Sequence, residues 1–328
     1  MSFDQMPLYH YVIMAVGWPS IVLYALMIVS IIKHRHNNAL LRSSFFNMVL
    51  AEAIPEFILF FYVEFLMRTR KFGFLQIFKK QANSWLVEIV FFGHNSLRNV
   101  VILGFIPFAL NRFMALRSPT SYTNTWTPRF TLFLILLCWI GGFVLAVPIY
   151  FYPSANFSYL PNKYGGLTLD ASNDVLDYDS ISAISTVSSV FGICSMLYLL
   201  SFLSLRRVLS SVAAKSSTRA KEDFLLMLSS VLTFSMMSFD VAVFAMQFIA
   251  TAAGQNGLVS LSFDLWFVTT ELMCISQPWC LLCTNRTVRR YFLRLIRLRH
   301  DTSTLEQKGV SRIEMRTGSN ASSMPSIR

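Results

Sequence analysis

The chain has 328 residues, of which 54% are hydrophobic and only 14% charged, with a mean hydropathy of +0.52 and a formal net charge of +11. Water-soluble domains carry about 25% charge, so this composition excludes disordered, collagen-like and ordinary cytosolic proteins and leaves a polytopic membrane protein. Five Cys, not clustered into a metal-ligand set, supply neither a disulfide framework nor a zinc site.

The amino terminus, Met1-Ser2-Phe3-Asp4-Gln5, has no basic n-region and no small-residue cleavage site, so residues 1–8 read as a short uncleaved extracellular segment. A hydrocarbon core of about 30 Å needs roughly 20 apolar residues of helix. Such stretches recur at 9–32, 43–67, 85–110, 130–152, 180–205, 224–253 and 261–282. They are continuous runs, not the short alternations of a membrane barrel. The expected fold is therefore an all-α membrane protein: a seven-transmembrane helix bundle over residues 9–282, a short amphipathic cytoplasmic helix at 283–300, and a disordered cytoplasmic tail at 301–328. No segment outside the membrane reaches the roughly 50 residues of an independent domain. A fused kinase, cyclase or protease is excluded, and the chain reads as a non-enzyme with no metal, cofactor or nucleic-acid partner.

Orientation follows from Lys and Arg, which favour the cytoplasmic side. Most of the 28 lie in the loops after spans 1, 3 and 5 and in the tail, which predicts an extracellular amino terminus, a cytoplasmic carboxy terminus and a multi-pass protein of the plasma membrane. The loop after span 2 runs against this pattern: Arg68, Arg70, Lys71, Lys79 and Lys80 make it basic although it is placed outside. The loop after span 4 carries a glycosylation sequon at Asn156 and four acids, Asp170, Asp174, Asp177 and Asp179, which read as a solvated loop or as a lid attractive to cations.

Ionisable groups at membrane depth cost about 2.5–3.5 kcal/mol each on insertion scales, so they turn inward and mark sites or structural pairs. The spans hold Glu52, Glu56, Glu64, Glu88, Asp240, Asp264 and Glu271, opposed only by Arg98. At 100° per residue Glu88, Asn95, Arg98 and Asn99 share one face of span 3, with His94 at its edge, and that stripe is expected to face the bundle. Depth matches Arg98 to Glu52 and Glu56 of span 2, so an intramembrane ion pair between them is expected. Glu88, Asn95, Asp240 and Asp264 stand as candidate contacts for a ligand in a pocket between spans 3, 6 and 7; a structural, water-bridged carboxylate is the competing reading for each acid. Pro55, Pro107, Pro148 and Pro278 permit kinks within spans.

Span 3 ends in Asn111-Arg112-Phe113, followed by Pro119, Tyr122 and Trp126. Span 7 closes with Gln277-Pro278-Trp279 and continues through Asn285-Arg286-Thr287-Val288-Arg289. After it, Arg286, Arg289, Arg290, Arg294 and Arg297 interleave with Tyr291, Phe292, Leu293, Leu295 and Ile296 as a basic amphipathic helix suited to anionic membrane lipids. Cys283 beside it is a palmitoylation candidate or an unmodified packing thiol.

This set of motifs resembles the G-protein-coupled receptors and, more narrowly, the nematode serpentine chemoreceptors of the gamma-type superfamily, including its class V members. The resemblance covers the chain to about residue 300. It implies a receptor that couples an external small-molecule ligand to a heterotrimeric G protein, with Arg112 at the arginine of the Asp-Arg-Tyr motif and Pro278 at the proline of the Asn-Pro-x-x-Tyr motif. Asn111, Arg112, Phe113 and Pro278 are then the expected coupling residues. The chain departs from the pattern at Asn111, at Gln277 and at Leu281, where an acid, an Asn and a Tyr would stand. A seven-helix transporter or ligand-gated channel using the intramembrane acids is the alternative that the residues leave open.

Overall fold

The computed structural model describes residues 6–74, 85–151, 157–162, 164–170, 173–210 and 218–296. The tail at 301–328, Lys79, Lys80 and Asn156 lie outside the described residues. Helices α1 (Leu8–His34), α2 (Ser44–Tyr62), α3 (Trp85–Arg117), α4 (Pro128–Ala146), α5 (Asn173–Ser210), α6 (Thr218–Ala252) and α7 (Asn256–Thr284) form the bundle, and α8 (Arg286–Leu295) follows. A short helix, Pro119–Thr125, links α3 to α4. Helices α1 and α3 to α7 are long and apolar enough, by length and composition, to cross a membrane. Helix α2 supplies the seventh apolar helix. It continues through a π-helical turn (Val63–Arg68) into a last turn, Thr69–Lys71.

Helix α3 runs through the middle, packed against α2, α4 and α5, and residues 94–102 are buried without interruption. Helix α4 is peripheral: Leu132, Phe133, Leu136, Ile140 and Val144 face outward as lipid-exposed apolar surface, and only Thr131, Gly142 and Ala146 are buried. Gly142 makes the seam with α3, where a Cβ would come within 2.7 Å of the Val100 amide nitrogen. Without a side chain there, the two backbones can approach closely.

Two helix starts are set by local chemistry. Thr127 caps α4 by accepting from the Phe130 amide at 3.2 Å, with Pro128 in the first turn, where its missing N–H costs nothing. Asn285 closes α7 through its own amide to the Leu281 carbonyl at 2.8 Å, and its side chain accepts from the Val288 amide at 3.0 Å to open α8. The Asn-Arg-Thr-Val sequence is thus the joint between two helices. Val288 and Phe292, one turn apart, bury one face of α8, while Arg286, Arg289 and Arg290 are exposed on the other.

Several helices outrun the apolar pattern. Helix α5 begins at Asn173, before the predicted 180, because Asp174, Asp177 and Asp179 suit the positive end of a helix. Three of the four acids assigned to a loop are therefore helical. A β-hairpin precedes α5: β1 (Ser158–Pro161) pairs antiparallel with β2 (Leu167–Asp170) in the register Ser158↔Asp170. Its turn carries Gly165 at φ 74°, a conformation favourable only to residues without a Cβ. The Asn162 side chain organises it, accepting from the amides of Tyr164 and Gly166 and donating to the Lys71 carbonyl at 2.9 Å. Gly166 lies so close to that carbonyl that a Cβ would approach it to 2.1 Å. The hairpin is seated on the end of the α2 extension.

Candidate functional site

At the hairpin end the helices enclose a cavity of about 310 Å³. Met67, Arg70 and Lys71 reach it from the α2 extension, Phe91, His94 and Arg98 from α3, and Asp177, Asp179 and Ser180 from α5. Phe244 and Gln247 come from α6, and Phe263, Trp266 and Phe267 from α7, while Leu167, Thr168 and Leu169 of β2 cover one side. The volume falls at the small end of the roughly 300–1,000 Å³ usual for ligand pockets, and the walls are mainly aromatic with a few polar groups. The His94 ring meets Trp266 edge-on at 4.4 Å, and its Nδ1 has no hydrogen-bond partner.

Arg68, Arg70 and Lys71 are not solvated loop charges. Arg68 is buried and bridges Glu64, one turn earlier, to Glu271 of α7. Lys71 is ion-paired with Asp264, whose other oxygen accepts from the Tyr9 hydroxyl at 2.9 Å and the Tyr164 hydroxyl at 3.1 Å. Arg70 is 7% exposed and stacks over the Tyr159 ring at 4.9 Å. Burial pushes the Tyr159 phenol above its ordinary range, although the Arg70 guanidinium pulls it back. The π turn brings all three cations to the bundle, which explains a charge excess that topology alone leaves anomalous.

Arg98 pairs with Asp179 on α5 at 3.5 Å and lies over the Phe244 ring at 5.5 Å. The expected pairing with Glu52 or Glu56 does not form. Depth was matched along two helices, but Arg98 leaves α3 toward α5, and α5 had been read as starting after Asp179. Glu56 instead accepts from the Tyr24 hydroxyl of α1 at 2.5 Å, and Tyr24 also contacts Gln277 of α7. Glu52 packs against Gly104, and with Glu56 and Gln277 it lines a second, much smaller cavity of about 20 Å³, room for about one water.

None of Glu88, Asn95, Asp240 and Asp264 lines the larger cavity. Glu88 is exposed, in the first turn of α3. Asn95 is buried with no hydrogen bond to either amide atom, and Asp240 is fully buried. Asp264 is held by the Lys71 and tyrosine contacts. The intramembrane acids drew attention as the costly groups, yet the cavity presents mostly cations and rings. Arg70, His94, Asp179 and Trp266 were the residues missed as cavity contacts. The legible signal was the basic segment after span 2.

At the α8 end, Asn111 donates to Ser44 Oγ at 3.2 Å and to the Tyr122 hydroxyl at 3.0 Å, and Ser44 and Tyr122 bond one another at 2.5 Å. This ties α3 to the start of α2 and to the linking helix. Arg112 donates to Asn111 Oδ1 at 2.5 Å and lies 4.5 Å above the Phe45 ring. Phe113 is half-buried under Arg117. Pro278 is buried inside α7, and Cys283 is exposed in its last turn. Among the described residues no cluster of His, Cys, Asp or Glu is arranged to hold a metal ion.

A family model described as Serpentine type 7TM GPCR chemoreceptor Srv matches residues 11–298, the bundle and α8 together. The chain is also 24% identical over 262 residues to a Caenorhabditis elegans protein, Serpentine receptor class V-1, an alignment covering 76% of this chain and 78% of that relative. With seven apolar helices, a cavity at one end and a polar network around Asn111-Arg112-Phe113 at the other, the chain belongs to the Srv family of serpentine seven-transmembrane G-protein-coupled chemoreceptors.

Proposed function

We propose that this chemosensory receptor lies in the plasma membrane with the hairpin end outside and α8 in the cytoplasm, where it contacts anionic lipid. A small external chemical occupies the cavity of about 310 Å³, and a heterotrimeric G protein engages the opposite end through Arg112, Asn111, Phe113 and the α7 segment at Pro278. Residues 1–8 and the hairpin are extracellular, residues 283–300 form the membrane-surface segment, and 301–328 extend into the cytoplasm. Asn156 is then placed for glycosylation and Cys283 for palmitoylation.

One observation carries this reading: the cavity and the Asn111 network are built on the same central helix. Arg98 and Arg112 stand 14 residues apart on α3, about 21 Å along its axis. A ligand that packs differently against the α3 to α7 walls in two arrangements of the bundle shifts their populations, and only such differential affinity does so. The test is a G-protein reporter in cells expressing the intact receptor, screened with volatile and water-soluble chemicals. An evoked signal that disappears in Arg112→Ala, with surface expression retained, supports the reading; ligand-evoked current without G protein overturns it. An amino-terminal epitope that stains on unpermeabilised cells supports the orientation, and a carboxy-terminal epitope that does so overturns it.

A further inference from the structure

We infer that the cavity recognises a monoanionic small molecule, a carboxylate carried on an apolar body, and that Arg70 is the residue that binds the anion; this rests on the cavity being the ligand site.

The charges divide unevenly. Arg68 is satisfied by Glu64 and Glu271, Lys71 by Asp264, and Arg98 by Asp179. Arg70 has no carboxylate within ion-pair distance among the described residues, and its Nε has no hydrogen-bond partner. Its close companion is Tyr159, whose ring stabilises a cation and whose hydroxyl lies near enough to feel the guanidinium, but neither supplies a counter-charge. Asp177 also reaches the cavity but is exposed, so water screens it. A buried cation without a counterion is costly, and an incoming anion relieves that cost. One unpaired cation calls for one negative charge, which favours a carboxylate over a phosphate dianion. The guanidinium fork matches the two carboxylate oxygens. His94 lines the same space, and its buried Nδ1 is without a hydrogen-bond partner. The rest of the ligand meets Phe91, Phe244, Trp266 and Phe267, rings that reward an apolar body and offer no counter-charge of their own.

The test uses the purified full-length receptor without G protein, so that it is independent of coupling. Thermal unfolding is followed with increasing 3-phenylpropanoate and hexanoate, and in parallel with their methyl esters and the amines of matched length. The two acids are expected to raise Tm saturably while esters and amines do not. Arg70→Gln is expected to weaken the acids roughly ten- to a hundredfold, the usual worth of a charged hydrogen-bonded contact, and Arg70→Lys to lose less. Without ligand, Arg70→Gln is expected to stay close to the parent Tm, since relief of a buried charge without a counterion offsets the lost contact with Tyr159; a residue with a merely structural role would lower it. Amines or esters binding as well as acids, no acid binding, or unchanged acid affinity in Arg70→Gln would overturn the inference. If Arg70→Gln does not accumulate, the acid-to-ester comparison on the parent receptor decides. Acid binding without any G-protein signal counts against the coupling reading alone, and a signal evoked only by neutral or cationic chemicals counts against the anion alone.

Discussion

Lys71, in the last turn of the α2 extension, is ion-paired with Asp264 of α7, 193 residues away, and both side chains are largely buried. The Tyr9 and Tyr164 hydroxyls satisfy the remaining lone pairs of the carboxylate, so α1, α2, α7 and the hairpin turn meet at one acid. Removing one partner of such a pair strands the other, at about 3–5 kcal/mol. Lys71→Ala and Asp264→Ala should each lower Tm and surface expression strongly. The apolar double change Lys71→Met/Asp264→Leu should recover most of the loss. Single variants with parental Tm would show that the pair adds nothing.

The Arg98 to Asp179 contact is testable by a double-mutant cycle. Arg98→Ala and Asp179→Ala should be non-additive, with a coupling of about 0.5–3 kcal/mol. Arg98→Ala combined with Glu52→Ala/Glu56→Ala should be additive, because those acids face Tyr24, Gln277 and Gly104 instead. Thermal unfolding of all variants in the same detergent provides the comparison.

The helices were legible because a bilayer demands a long apolar run wherever the chain crosses it, and each of the seven runs corresponds to a helix in the bundle. What lay beyond the apolar stretch was not. The π turn at Val63–Arg68 has no marker in a hydropathy pattern, and without it Arg68, Arg70 and Lys71 read as loop charges. Asp179 was assigned to a loop because it precedes the oily part of α5, so the true partner of Arg98 was hidden. The cavity depends on pairings across separations such as 193 residues, which no local pattern contains. By contrast, Asn111, Arg112 and Tyr122 are close in sequence, and the structure also brings them together.

The Asn111 network should restrain the ends of α2 and α3 nearest α8. Asn111→Ala removes three hydrogen bonds, to Ser44, to Tyr122 and from Arg112, and Tyr122→Phe removes the hydroxyl shared by Asn111 and Ser44. At about 1 kcal/mol for each bond lost, the active fraction should rise roughly fivefold per bond. Basal reporter activity normalised to surface expression measures this. A fall in basal signal with normal expression would assign the network to the active arrangement.

The joint between α7 and α8 depends on one side chain. Asn285→Ala should cost about 1 kcal/mol of helix stability. It should also leave the exposed arginines of α8 less firmly positioned. Faster hydrogen exchange at Val288 and Arg289, with α7 unaffected, is the expected readout, and unchanged exchange would show that α8 does not need the cap.

All five cysteines are free thiols, and none belongs to the hairpin. The cover over the cavity is fastened to Lys71 by the Asn162 amide and by the close fit of Gly166, and no covalent staple is involved. Reducing agents should therefore leave access to the cavity untouched, and opening the cover should be a fast, thermally driven event, indifferent to the redox state of its surroundings.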